Sequence, residues 1–229
     1  MKSIFIIFFA AFTIASHAQF GKDPIINLEN FQKKRIHYGF FLGFNFYDFQ
    51  FGYKSVAKDL IVKNTTGFNV GIIGNLRLHE NIDLRFEPGL YYTERDLNYP
   101  DIEDPVDAFR EVKSTYLHFP LLLKFSSKRF GNVRPYLLGG LSKSLNLGSN
   151  SDSPNDNEST VFRMTKWTSN YELGFGVDLF YEYFVFSPSI RGVFSTTNEL
   201  INDNDPNSPW TSNIDAMRTR GVFINFAFH

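Results

Sequence analysis

The side chains best suited to acid–base or metal chemistry are few and scattered. Histidines stand at 17, 37, 79, 118 and 229, with no pair at ligand spacing such as H-x-x-x-H, so the usual zinc pattern is missing. The chain has no cysteine, which excludes disulfides, thiolate metal sites, a cysteine nucleophile and a lipidated-cysteine anchor. Two oxygen-rich stretches, "SDSPNDNE" (Ser151–Glu158) and "NDNDPNSPW" (Asn202–Trp210), have the composition of calcium loops. They lack the glycine and glutamate spacing of an EF-hand, and Asp, Asn, Ser and Pro also build ordinary solvated turns. Trp210, beside Pro209, reads either as a loop contact to a partner or lipid headgroup, or as packing at a rim. No G-x-S-x-G element, kinase signature or phosphate-binding loop occurs. The expectation is a non-enzymatic protein with no catalytic residue, metal ligand or cofactor.

Charge elsewhere follows a pattern. In "NYELGFGVDLFY", Tyr171, Leu173, Phe175, Val177, Leu179 and Tyr181 alternate with Asn170, Glu172, Gly174, Gly176 and Asp178. A period of two belongs to a strand. Ile82, Leu84, Phe86, Pro88, Leu90 and Tyr92 alternate in the same way with Asp83, Arg85, Glu87, Gly89, Tyr91 and Thr93. Collected over all such segments, the less apolar face carries Arg77, Arg85, Lys124 and Arg191 against Asp83, Glu87, Glu172 and Asp178. Four cations and four anions form a set that can pair, as buried charges must.

The elements that position these charges are eight alternating segments, roughly 36–53, 66–78, 81–96, 112–126, 132–146, 168–181, 183–196 and 218–228. The first and fifth carry apolar residues on both faces. Most are longer than the five or six residues usual in soluble proteins and suit a tilted membrane crossing. Their connections alternate. "HEN", "SKRFGN" and "YEY" are short, whereas "DLNYPDIEDPVDAFRE", "GSNSDSPNDNESTVFRMTK" and "TTNELINDNDPNSPWTSNIDAM" are long and polar. This pattern predicts an all-β fold, an eight-stranded antiparallel up-and-down transmembrane β-barrel with short periplasmic turns and long outer loops. An even strand count returns both ends of the barrel chain to the periplasm. Apolar faces then meet lipid, and charged faces fill an interior just wide enough for side chains. A soluble lipocalin-like barrel reverses the two faces and gives no reason for the alternating loop lengths.

Composition agrees. The chain holds 27 phenylalanines and 17% aromatic residues, yet its mean hydropathy is -0.21 and its formal net charge is -1. Nothing here is a basic footprint for nucleic acid, and no small-molecule substrate is evident. "MKSIFIIFFAAFTIASHAQF" has a basic Lys2, an apolar run of Ile4 to Ile14 and small residues before Gln19, as a secretory signal cleaved after Ala18 would. The predicted organisation is a cleaved signal peptide over 1–18, a periplasmic N-terminal segment over 19–35 and an outer-membrane barrel over 36–229. Localisation in the cell outer membrane follows, with membrane lipid as the first partner.

"REVKSTYLHFPLLLKFSSKRFGNVRPYLLGG" (Arg110–Gly140) and "LRFEPGLYYTERDLNYP" (Leu84–Pro100) resemble the outer-membrane barrel superfamily of Bacteroidetes. "REVKST", "VFRMTKWTSNYELGFG", "DNDPNSPW" and "NLENFQKKRIHYGFFLGFNFYDF" resemble the PorT family more narrowly, and that resemblance spans essentially the whole mature chain. It implies a non-enzymatic component required for protein export by the type IX secretion system, including adhesin export for gliding motility, with other secretion-system proteins as partners. It supplies no catalytic or binding residue. The residues alone leave open a stand-alone binding or adhesion barrel acting through its long loops.

Overall fold

The structure is a computed structural model; it describes residues 25–55 and 59–229. The predicted signal peptide lies outside the described residues. Ten strand segments follow a short 3-10 turn at Phe31–Lys33: β1 (Ile36–Tyr53), β2 (Ile61–Asn64), β3 (Gly67–His79), β4 (Ile82–Phe86), β5 (Gly89–Asn98), β6 (Phe109–Ser126), β7 (Val133–Asn146), β8 (Trp167–Phe180), β9 (Val185–Ser195) and β10 (Ile214–Phe228). All pair antiparallel. β1 pairs β10 along one edge and β3 along the other, so the sheet closes into a ring of eight: β1, β10, β9, β8, β7, β6, β4 and β3.

The eight expected segments map onto this ring, and the two extra strands have local causes. Pro88 divides the third segment into β4 and β5, because it has no N–H for the ladder. The register is unbroken across it, with Gly74 opposite Phe86 and Gly71 opposite Gly89. Ile72 N–H donates to Pro88 O at 3.1 Å. β2 arises within the first long loop, where no strand was expected; it pairs with the far end of β5, Ile61 opposite Asn98.

Alternation sets the two faces. Ile72 is 65% exposed and Leu173 62%, whereas Glu172 and Arg191 are each 1% exposed. A water-soluble core would reverse this. Here large apolar side chains form the outer wall, and charge lies in the lumen. Two inward glycines make room for that filling. A Cβ on Gly176 would stand 2.4 Å from Tyr136 Oη, and one on Gly174 would stand 3.1 Å from Arg191 Cβ.

Candidate functional site

The lumen is occupied by a connected set of charges. Arg191 Nη1 donates to Glu87 Oε2 at 2.7 Å, and Glu87 also receives Arg85 Nε. Arg191 Nε lies 2.9 Å from Glu172 Oε2, and Arg191 Nη2 donates to Tyr91 Oη at 3.1 Å. These residues come from β4, β5, β8 and β9 and from Glu87 between β4 and β5, so the network ties opposite walls together. Nearer the short-turn end, Lys124 Nζ binds both oxygens of Asp178 at 2.8 and 2.7 Å. Lys124 also lies 4.1 Å from the centre of the Tyr136 ring, and Ser187 Oγ donates to Asp178 at 2.7 Å. Unpaired, each of these ions would be very costly to bury; paired, they specify how the walls meet.

Of the eight charges singled out in the sequence, Arg85, Glu87, Glu172 and Arg191 form the central cluster, and Lys124 and Asp178 form the second. Asp83 lines the short-turn mouth beside Lys124 and Arg134. Arg77, opposite Asp83 in the ladder, lines the same mouth. Its guanidinium reaches the Gln32 carbonyl of the N-terminal lead-in.

His118 joins the central cluster. Its Nε2 meets Glu172 Oε1 and its Nδ1 meets Ser144 Oγ, both at 2.7 Å. A hydroxyl, an imidazole and a carboxylate in line would elsewhere suggest nucleophilic catalysis. Here Ser144 is 4% exposed, His118 0% and Glu172 1%, and Glu172 is also engaged by Arg191. At that burial the three side chains fill the lumen. Ser144 carried no signal in the sequence, since serine is unmarked by any spacing.

The short-turn mouth is covered by the lead-in. Phe31 stacks on His37 with ring centres 4.2 Å apart. Asn27 donates from its amide N to Asn132 Oδ1 at 2.9 Å and from Nδ2 to Phe180 O at 3.0 Å. Asn132 Nδ2 returns a bond to Ile25 O at 2.8 Å. Beneath this cover lies a polar cavity of about 30 Å³, room for little more than a water molecule.

The long-loop end is also built up. Phe49, Leu97, Tyr99, Val112, Phe162, Met164 and Met217 pack into a core of their own above the lumen. Arg95 forms its floor, 3.8 Å from the centre of the Phe49 ring, and donates to Tyr116 Oη at 2.8 Å. Trp210 belongs to this cap. Its Nε1 donates to Asp107 O at 2.8 Å, and Arg110 lies 4.9 Å from its ring centre, which is the rim-packing arrangement. The oxygen-rich stretches bind each other: Asp156 Oδ2 accepts from Asn204 N at 2.8 Å, and Asp203 Oδ1 accepts from Asn157 Nδ2 at 2.9 Å.

A family model described as an outer membrane protein beta-barrel domain matches residues 17–200. No curated protein sequence matches the chain. Among solved structures the barrel is similar to the outer membrane protein OprG from Pseudomonas aeruginosa, with 12% identity, 85% of this chain and 95% of that one covered, and a TM-score of 0.47. It is similar also to the outer membrane protein AlkL, with 15% identity, 91% and 93% coverage and a TM-score of 0.45. Neisserial surface protein A follows with 12% identity, 85% and 98% coverage and a TM-score of 0.42.

Proposed function

We propose a role from one premise: this chain belongs to the outer membrane protein beta-barrel domain family and sits in the outer membrane. The proposed role is that of a non-conducting, non-enzymatic barrel that works through its two ends as a component of protein export of the type IX kind. The observation that carries the first half is the lumen. The Arg191–Glu87–Arg85 and Lys124–Asp178 pairs bridge its walls, and a solute path would require breaking buried ion pairs, each costly to open.

What remains for interaction is the surface at either end. By the loop-length rule the short turns and the lead-in face the periplasm, and the cap faces outward. The lead-in lies where a periplasmic partner would meet the barrel. The likeness of "REVKST", "VFRMTKWTSNYELGFG" and "DNDPNSPW" to the PorT family supports the export role.

Deleting the gene tests this reading. Type IX cargo should disappear from the medium and accumulate in the periplasm, and the wild-type gene supplied in trans should restore it. Normal cargo release in the deletion strain would reject the export role.

A further inference from the structure

On the outer wall, where β3, β5 and β6 run side by side, lies a groove of about 590 Å³. It lies where two strand lines stop. The β2–β3 line breaks at Thr65 and Thr66, and Thr65 ties both its N–H and its hydroxyl to Glu94 O, at 3.2 and 2.7 Å. β7 ends on the other side, where Leu147 N–H donates to Thr115 O at 2.9 Å. The groove therefore sits on the lipid side, toward the long-loop end.

Its chemistry changes over two rungs of the sheet. The lower rung sets Phe68, Tyr92 and Thr115 abreast, with the Phe68 and Tyr92 rings stacked 4.6 Å apart and both exposed. In the rung above, Glu94 stands opposite Lys113. An acyl chain alone would set the polar Glu94–Lys113 rung and the Thr115 hydroxyl against hydrocarbon. A water-soluble ligand would leave the aromatic rung bare. The occupant must be an amphiphile whose head begins at Tyr92.

Charge selects the head. Glu94, Asp96 and Glu111 hold carboxylate oxygens within 4.8 Å of one another, and Lys113 is already paired to Glu111 at 2.9 Å. Such a rim repels a bare phosphate. Hydroxyls that both donate and accept match threonine, carboxylate and ammonium together, and a sugar ring presents an apolar face to an aromatic one. We propose that this groove holds a glycolipid of the outer leaflet, with its sugar at Tyr92, Thr115 and Glu94 and its chains descending along Phe68.

The test uses the full-length protein in phosphatidylethanolamine nanodiscs doped with a glucosyl diacylglycerol of the same chain length, with retained lipid counted by native mass spectrometry. Wild-type protein should retain the glucosyl lipid over phosphatidylethanolamine by about five-fold or more, the equivalent of one net hydrogen bond. Thr115→Val keeps side-chain shape and should lower that ratio. Tyr92→Ala should bring it close to unity, and Leu173→Ala, on β8 away from the groove, should leave it unchanged. Equal retention of the two lipids by the wild type would overturn the proposal. So would a preference that Tyr92→Ala and Thr115→Val both leave intact, or selective retention of phosphatidylethanolamine.

Discussion

Arg191 and Glu87 meet across the lumen at 2.7 Å, although 104 residues separate them in the chain. Arg191 points inward from β9, and Glu87 from the proline break between β4 and β5. The pair also holds Arg85 and, through the other edge of the guanidinium, Glu172. One side chain thus fixes three walls of the barrel.

Arg191→Met should therefore be severe. It leaves Glu87 with Arg85 alone and deprives Glu172 of its guanidinium neighbour. Removing one partner of a buried pair costs about 3–5 kcal/mol, which urea unfolding in detergent should register as a lower midpoint. Arg191→Lys should recover only part of the loss, because an ammonium cannot span two carboxylates in the plane of a fork.

The lead-in makes a separate prediction. Asn27→Ala combined with Arg129→Ala removes the two Asn27 side-chain and carbonyl contacts to the barrel. The covering segment should then open more often, and trypsin should cut after Lys33 or Lys34 several-fold faster, since cleavage follows the population of the open form. The barrel's unfolding midpoint should hold. An unchanged cleavage rate would show that Phe31 on His37 is sufficient to keep the mouth covered.

In the cap, the amides of Asn204 and Glu158 donate to Asp156 and hold its carboxyl below the usual carboxylate range. A lowered pKa in the folded state stabilises the fold above the ordinary value, about 4, and that contribution is lost as pH falls through the lowered one. NMR of the Asn204 amide should show a shift that begins only below about pH 4. Asp156→Asn should abolish that acid-dependent step.

Trp210→Ala should loosen the same cap without disturbing the barrel. The indole's hydrogen bond to Asp107 and its contact with Arg110 are together worth about 1–3 kcal/mol. Hydrogen exchange should rise over residues 99–108 and 196–213 and stay low in β7 and β8.

The barrel was legible because a membrane wall imposes a strict period of two, which Asn170–Leu179 and Ile82–Thr93 display. The same parity reaches Arg95 at the end of the third expected segment and, carried just before the fourth, Arg110; both are buried in the cap. Those strands continue past the membrane into what reads as polar loop. β2 was not legible, since four residues of mixed polarity become a strand only by pairing with β5. The cap core was not legible either: Tyr99, Phe162 and Met164 follow no period, and tertiary contact alone brings them to Phe49 and Met217. Ser144 became part of the lumen network only once β7 lay beside β6 and His118.

The central claim is that the barrel is closed and acts through its ends. Planar-bilayer recording from purified, folded protein tests it most directly. A filled lumen predicts no stable unitary conductance at any holding potential that the bilayer withstands. Reproducible conductance steps from the wild-type protein would contradict it.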